Sequence, residues 1–236
     1  MNNRYPLYSQ LSDLIREKIE RGDYEFGQAI PSERELAAAY GVNRQTVRSA
    51  IACLVKEGLV TKWKGKGSFI NKPRIDTALD TIEGFGRFLE DNGVQPSSKV
   101  LFTGKRKAGF LYSRIFNLAE SDFLYRILRL RLADNEPVSL EDTYIPYKLI
   151  DQIETYDFQV YSLYDIFSRH DINLTLDYEK LSIIRVRNPE AKLLNIAPGS
   201  SIFLVEDRSV DADGRLVEFT RSYTSGERFT FSTVMI

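Results

Sequence analysis

The chain has 236 residues, of which 43% are hydrophobic and 28% are charged, and this composition is typical of a folded protein. No apolar run approaches the roughly 18 residues of a membrane helix, and the polar N-terminus, Met1–Tyr5, lacks a signal-peptide core. A single cysteine, Cys53, excludes an intrachain disulfide, and a single histidine, His170, disfavours a metal site. We therefore expect a cytoplasmic protein without a metal or other cofactor.

The net charge of −1 conceals a difference between two parts of the chain. Residues 1–75 contain 13 Lys and Arg against 8 Asp and Glu, whereas the remainder contains 19 against 25. The basic part suits phosphate groups, and the acidic part calls for a different partner. The sequence thus predicts a first domain over residues 1–71, a polar linker over 72–80 and a second domain over 81–236.

Three helices are predicted in the first domain. The first covers Leu7–Arg21, where apolar residues recur at helical spacing. The second begins after Ser32, which forms a capping box with Glu35. Tyr40–Val42 is a tight turn around a glycine, and Asn43 caps the third helix. Two helices joined by such a turn are typical of a helix-turn-helix.

The third helix carries an apolar stripe, and a basic hairpin follows it. Gly58 ends the helix, and two short β runs within Leu59–Ile70 flank a Gly-Lys-Gly tip, which is typical of a wing. The sequence therefore predicts a winged helix-turn-helix. The predicted buried stripe of the third helix consists of Val47, Ala50, Ile51, Leu54 and Val55.

This arrangement suits double-stranded DNA. The start of a recognition helix enters the major groove, where arginine bonds guanine O6 and N7. Thr46 offers its side chain and amide to a phosphate, and the hairpin lysines suit the DNA backbone or the minor groove. The alternative is that these cations only solvate a helix face. The residues predicted to contact DNA are Ser32, Glu33, Arg34, Asn43, Arg44, Gln45, Thr46, Arg48, Lys62, Lys64, Gly65, Lys66 and Gly67.

Five motifs span the first domain, namely Leu7-Tyr8, Pro31–Ala37, Arg44–Arg48, Glu57–Leu59 and Lys64–Phe69. Through them the domain resembles the GntR family of bacterial transcription regulators. The resemblance implies a homodimer on a palindromic operator, and it leaves Asn43 and Gln45 to set operator preference. The DNA contacts that it implies are Arg34, Arg44, Thr46, Arg48 and a wing glycine, Gly65 or Gly67.

The second domain is rich in predicted strands. A helix over Asp80–Asn92 precedes them, and short helices lie near Tyr161–Phe167 and Pro189–Asn195. Strands joined by hairpins, with helices set apart, indicate an α+β domain with an antiparallel sheet. The predicted strands are Ser98–Thr103, Leu124–Leu132, Val138–Ile145, Leu176–Arg187, Ser201–Val210, Leu216–Thr224 and Phe229–Met235.

Further motifs lie in this domain, chiefly Arg129–Asp134, Tyr144–Pro146, Tyr161–Tyr164 and Arg228-Phe229. Through them the domain resembles the UTRA effector-binding domain of the HutC subfamily, which shares its fold with chorismate lyase. The resemblance is closest to regulators of amino-sugar use, which respond to a phosphorylated sugar. It implies an effector-binding and dimerisation domain.

Two arginines on one predicted strand suit such a ligand. Alternation puts Arg129 and Arg131 on one face about 6–7 Å apart, where they can grip one phosphate or simply face water. Alternation also turns Glu218 and Tyr223 to opposite faces, so either a bulge intervenes or one of them lies outside the pocket. The family analogy assigns the effector to Phe85, Gly86, Arg87, Arg129, Arg131, Glu141, Ser162, Tyr164, Glu218 and Tyr223.

We expect a DNA-binding transcriptional regulator that represses sugar or amino-sugar uptake or catabolism genes and is released from its operator by a phosphorylated sugar. A non-sugar effector and an activator remain alternatives, as does a second domain that only dimerises. An enzyme is not expected, because the sequence offers one histidine, His170, and no evident nucleophile–histidine–acid set or metal-ligand cluster.

Overall fold

The computed structural model describes residues 6–72, 75–78, 85–91 and 93–232, except for the side chains of residues 76–78, 85, 87, 88, 176, 177 and 232. The chain divides into two units between Arg74 and Ile75. This boundary falls inside the predicted linker 72–80, but Ile75–Ala78 is a strand, β3, of the second unit. The linker prediction is wrong for this stretch, because a distant strand supplies backbone hydrogen-bond partners that local composition does not reveal.

The three predicted helices of the first unit are present, and their starts are capped as expected. The Glu35 amide donates to Ser32 Oγ at 3.3 Å, and the Ser32 amide donates to Glu35 Oε2 at 2.8 Å, which completes the capping box. The helices are α1 (Leu7–Glu20), α2 (Glu33–Tyr40) and α3 (Arg44–Lys56).

One hydrophobic core holds these helices together. Ile15 of α1, Leu36 of α2 and Val47 of α3 are almost completely buried in it. Val55 was predicted to share this stripe, but it is 39% exposed. Eight residues turn an α-helix about 80° beyond two full turns, so Val55 lies to the side of the face that Val47 buries.

The predicted wing is an antiparallel hairpin of two strands, β1 (Val60–Trp63) and β2 (Gly67–Ile70). The Lys66 amide donates to the Trp63 carbonyl at 3.0 Å and closes the turn. Gly65 and Gly67 adopt φ values of 78° and 117°, a region that other residues rarely occupy, so these glycines are required by the turn itself.

The second unit is built on a six-stranded sheet in which all neighbouring strands are antiparallel. Its strands are β4 (Pro96–Lys107), β5 (Phe123–Ala133), β6 (Glu136–Pro146), β7 (Leu174–Arg185), β8 (Ser201–Asp211) and β9 (Leu216–Ser225). Their order is β4-β5-β6-β9-β8-β7, which confirms the predicted antiparallel α+β domain. A last strand, β10 (Phe229–Ser232), pairs in parallel with β3 in a separate small sheet.

Four short helices accompany this sheet: α4 (Phe85–Asp91), α5 (Gly109–Phe116), α6 (Leu163–Arg169) and α7 (Glu190–Leu193). The sequence did not predict α5, whose eight residues start with glycine and carry little helical signal of their own. Packing stabilises it instead, since Tyr112 stacks on Tyr144 of β6 with 4.1 Å between ring centroids. No helix in the described part of the chain is long and apolar enough to cross a membrane.

Strand alternation divides the side chains of the large sheet between two faces. The first, which we call the α5 face, carries Tyr144 and Phe219 and packs against α5. The second, the α6 face, carries Ile127 and Ile145, which share a hydrophobic cluster with Phe167 of α6. Arg129 and Arg131 follow Ile127 at alternate positions of β5, so they lie on the α6 face.

Candidate nucleic-acid interface and candidate effector site

One carboxylate gathers the cations at the start of the recognition helix. Glu33, the first residue of α2, accepts hydrogen bonds from Lys62 Nζ of the wing at 2.8 Å and from Arg48 Nη2 of α3 at 3.1 Å. Arg44 Nη2 lies 4.0 Å from the same carboxylate. The Glu33 side chain is 17% exposed, whereas the three cations are 51–63% exposed. Recognition helix and wing therefore present positive charge on one surface, tied together from behind.

The electrostatics of this cluster favour an ionised Glu33. Hydrogen bonds from Lys62 and Arg48 lower the pKa of Glu33 to about 2, although burial acts in the opposite direction. The carboxylate therefore stays charged at neutral pH and keeps both cations oriented. The sequence analysis placed Glu33 among the DNA contacts, and the structure places it beside the cations.

Asn43 and Thr46 serve the start of α3. Asn43 Oδ1 accepts from the Thr46 amide at 2.7 Å and from Thr46 Oγ1 at 3.0 Å. The amide that the sequence assigned to a phosphate is thus bonded within the cap. Ser32 is likewise occupied in the capping box of α2. The predicted residues that lie exposed on this unit are Arg34, Arg44, Gln45, Arg48, Lys62, Lys64, Gly65, Lys66 and Gly67.

Two arginines and a glutamate form a buried ion cluster on the α6 face of the second unit. Glu141 of β6 lies directly opposite Arg129 of β5 in the strand register. Glu141 Oε2 is 3.1 Å from Arg129 Nη2 and also 3.1 Å from Arg131 Nε. The three side chains are only 5–12% exposed. The reading of these arginines as a solvated strand face is therefore wrong, because hydrophobic clusters cover the strand on both sides of them.

Arg129 holds hydrogen-bond donors that the described residues do not use. Its Nη2 donates to Glu141, but its buried Nε and Nη1 have no hydrogen-bond partner within the described ranges. Buried polar groups are nearly always hydrogen-bonded, because an unmet donor costs about 1–3 kcal/mol. The guanidinium is therefore arranged to donate to something further.

Charge in this cluster is only partly compensated. Burial lowers the pKa of Arg131 to about 10, and repulsion from Arg129 adds to this effect, against the attraction of Glu141. Burial by itself would raise the pKa of Glu141, but the attraction of Arg131 and Arg129 holds it below its usual value. Glu141 is thus an anion at neutral pH, and an additional anion near Arg131 would restore its normal basicity.

A row of buried hydroxyls continues the site across the sheet. Glu218 of β9 accepts from Thr220 Oγ1 at 2.7 Å and from Ser209 Oγ of β8 at 3.2 Å. Thr143 and Thr220 are joined by their hydroxyls at 2.8 Å. The sequence analysis missed Thr143, Ser209 and Thr220 as site residues. The alternation of polar residues with Glu218 was visible but was interpreted as a solvent face.

The cluster occupies a polar band between two hydrophobic clusters on the α6 face. Ile127 packs with α6 at one end, and Ala133 packs with Leu89 of α4 at the other. The predicted ligand residues of both helices therefore flank the arginines along β5. Gly86 is half-buried in α4, Ser162 occupies the N-cap position of α6, and Tyr164 packs on the α6-face cluster. The side chains of Phe85 and Arg87 lie outside the described residues.

Tyr223 is not part of this band. Strand β9 runs in regular register from Glu218 to Ser225, so no bulge intervenes between Glu218 and Tyr223. Tyr223 lies opposite Leu140 and packs with it on the α5 face. Its assignment to the effector site was wrong, because strict alternation holds here. Within the described ranges, no three His, Cys, Asp or Glu side chains are grouped to hold a metal ion.

Two family models match the chain. The model of the gntR family of bacterial regulatory proteins matches residues 7–70. The UTRA domain model matches residues 91–230. Both matches agree with the two units of the structure.

Two curated relatives match along almost the whole chain. The HTH-type transcriptional repressor NagR of Bacillus subtilis is 29% identical over 227 residues, which are 96% of this chain and 93% of the relative. The mannosyl-D-glycerate transport/metabolism system repressor MngR of Escherichia coli is 28% identical over 231 residues, which are 97% and 95% of the two chains.

The crystal structure of PhnF from Mycobacterium smegmatis has the same fold, with a TM-score of 0.73 and 23% identity over 96% of this chain and 98% of that one. The helix-turn-helix with its wing, the antiparallel sheet and both family models lead to one assignment. The chain belongs to the gntR family of bacterial regulatory proteins and carries a UTRA domain.

Proposed function

We propose that this regulator is a homodimeric repressor that binds a palindromic operator and leaves it when its second domain binds a small anionic carbohydrate, such as a phosphorylated sugar. The observation that carries the ligand class is Arg129, buried with two donors that no described residue accepts. The name of MngR, a repressor of a carbohydrate transport and metabolism system, supports the carbohydrate part. The site of action would be the bacterial cytoplasm.

The DNA-binding half rests on the cations that Glu33 gathers. With α3 in the major groove, Arg44 and Arg48 reach base edges, where a bidentate arginine–guanine contact is worth about 1–3 kcal/mol. Lys62 and the exposed wing lysines then lie near the phosphates. Two copies related by a two-fold axis match the symmetry of a palindrome.

The effector half rests on the chemistry of the buried cluster. A phosphate or carboxylate accepts the free donors of Arg129 and restores charge balance at Arg131. Glu141 and Glu218 offer acceptors for sugar hydroxyls or an amino group. Because polar groups line the whole band, a ligand with an anionic end and a hydroxyl-rich end fits it better than an apolar one.

Release from the operator requires that the effector bind the state that is not bound to DNA more tightly. A coupling free energy of about 1–3 kcal/mol changes operator affinity about 5- to 150-fold. We propose binding without turnover as the role of the second domain.

The DNA assignment is tested by Arg44→Ala in a gel-shift titration with the DNA immediately upstream of the reading frame. We expect operator affinity to fall about 10- to 100-fold from the loss of one base contact. Arg21→Ala is the matched control, because Arg21 is a similarly exposed arginine of α1 paired with Glu17. Equal effects of the two substitutions would contradict the assignment.

The effector assignment is tested by titrating the operator complex with sugar phosphates and the corresponding free sugars. We expect at least one phosphorylated compound to release the wild-type protein, and Arg129→Gln to abolish its effect. Arg126→Gln is the control, since Arg126 pairs with Asp142 between the same two strands on the opposite face. Release by free sugars alone would refute the anionic ligand, and a normal response of Arg129→Gln would refute the site.

A further inference from the structure

Strand β7 is a long and poorly protected edge of the large sheet. It has 12 residues, and within the described part of the chain it pairs only with β8. Its register is regular from Leu176 to Arg185. Ile183 is 71% exposed and Tyr178 is 57% exposed. A straight edge strand with exposed apolar side chains is a template for pairing with another chain, so natural proteins rarely leave one uncovered.

The opposite edge of the sheet is protected in the usual way. Strand β4 has a register shift between Val100 and Phe102, and it carries four basic residues. Bulges and lysines of this kind prevent edge-to-edge pairing. The basic residues of β4 are Lys99, Lys105, Arg106 and Lys107. Only β7 of the two edges therefore suits a partner strand.

The sequence of β7 is complementary to itself. When two copies of a strand pair in antiparallel orientation around a two-fold axis, residues at equal distances from the axis lie opposite each other on one face. With the axis at Ser182, Leu181 lies opposite Ile183 of the second copy. Glu179 lies opposite Arg185, which gives an ion pair on each side of the axis. All four of these side chains are on the α6 face by alternation.

Other registers are less favourable. An axis at Glu179 or at Lys180 would set a charge directly against its own copy, which destabilises a cross-strand pair. The position of the axis is therefore fixed by charge as well as by shape.

We propose that β7 pairs with β7 of a second copy about Ser182, so that the two large sheets form one continuous sheet in the homodimer. This inference rests on the homodimer of the proposed function and names the surface that forms it. The strand pair removes the exposed edge from both copies and covers Ile183.

A cysteine at the axis tests the register. In an antiparallel pair the Cα atoms are about 4.5–5.5 Å apart, which is within the span of a disulfide. In a Cys53→Ser background, Ser182→Cys should give a covalent dimer under mild oxidation. Tyr178→Cys is the control, because its two copies would lie about eight positions apart, or roughly 26 Å. No cross-link at Ser182, or an equal one at Tyr178, would overturn the register.

A charge exchange tests the interface without depending on disulfide chemistry. Glu179→Arg and Arg185→Glu each place like charges opposite one another, and we expect the dimer dissociation constant to rise roughly tenfold or more. The double variant restores complementarity and should regain most of the affinity. Sedimentation velocity measures the dimer, and circular dichroism verifies the fold of each variant.

The outcomes separate this inference from the proposed function. A dimer unaffected by either single substitution overturns pairing at β7, even where operator binding and effector release are normal. A wild-type chain that is monomeric while bound to a single operator half-site overturns the proposed homodimer itself.

Discussion

The two units each set one glutamate against several cations, but they do so in opposite environments. Glu33 holds Arg48 and Lys62 where the cations are more than half exposed. Glu141 holds Arg129 and Arg131 where every side chain is almost fully buried. Exposed cations suit a large polyanion that arrives from solvent and is contacted at many points. Buried cations suit one small anion that must be stripped of water.

The same difference sets how much each cluster matters to folding. Ion pairs between exposed groups contribute about 0–1 kcal/mol, because water screens them. A buried pair contributes modestly when complete, but removal of one partner leaves an uncompensated charge in the interior. The glutamate of the first unit therefore belongs to recognition, and that of the second belongs to both recognition and stability.

The largest expected effect is that of Glu141→Gln. The substitution leaves two buried guanidiniums without their counter-charge, and we expect the free energy of unfolding to fall by about 3–5 kcal/mol in urea denaturation. Asp142→Asn is the control, since Asp142 is adjacent and binds Arg126 at a more exposed position. Its expected cost is about 1 kcal/mol. A smaller loss for Glu141→Gln than for the control would contradict the buried cluster.

A smaller effect is expected from Glu33→Gln. The substitution frees Arg48 and Lys62 from their anchor and removes a negative charge near the DNA. Non-specific DNA affinity should rise, while the ratio of operator to non-specific affinity should fall about tenfold as base contacts lose their orientation. Fluorescence anisotropy with operator and scrambled duplexes measures both. An unchanged ratio would show that Glu33 does not position the cations.

Asn43→Ala addresses the helix cap that supports the first cluster. Loss of the bonds from the Thr46 amide and hydroxyl should lower the stability of the first unit by about 1 kcal/mol. Thermal denaturation of the full chain, followed by circular dichroism, provides the measurement. Asn43→Ser should recover most of the loss, because serine also caps helices. Equal destabilisation by both substitutions would argue against a capping role.

The smallest effect concerns acid. The pKa of Glu33 is lowered to about 2 from 4.5, so its contribution to stability is complete above 4.5 and disappears as pH falls toward 2. Its partners are exposed, and we expect less than about 1 kcal/mol. The difference in unfolding free energy between wild type and Glu33→Gln should shrink over this pH window. A constant difference would place the lowered pKa elsewhere.

Local signals predicted the first unit better than the second. The caps at Ser32 and Asn43 and the glycine turn of the wing are encoded within a few residues, and all are present. In the second unit, alternation correctly placed Arg129 and Arg131 on one face. Alternation alone does not distinguish a buried polar face from a wet one, because both read as polar at every second residue.

Long-range packing explains what the sequence concealed. Helix α5 depends on the stacking of Tyr112 on a tyrosine of β6, and β3 depends on a partner strand near the end of the chain. The hydroxyls of Thr143 and Thr220 meet although 77 residues separate them. Contacts of this kind leave no trace in a short window of sequence.

The charged cluster also has an order of assembly. Arg129 and Glu141 are 12 residues apart on one hairpin, whose turn residues Asp134 and Asn135 have φ values of 51° and 66°. Such a turn matches the twist of the strands it joins, and a hairpin of this length closes within microseconds. The ion pair can therefore form before Glu218 arrives from β9. The arginines then enter the interior of the sheet as part of a neutralised pair, which spares the folding chain the cost of burying a bare charge.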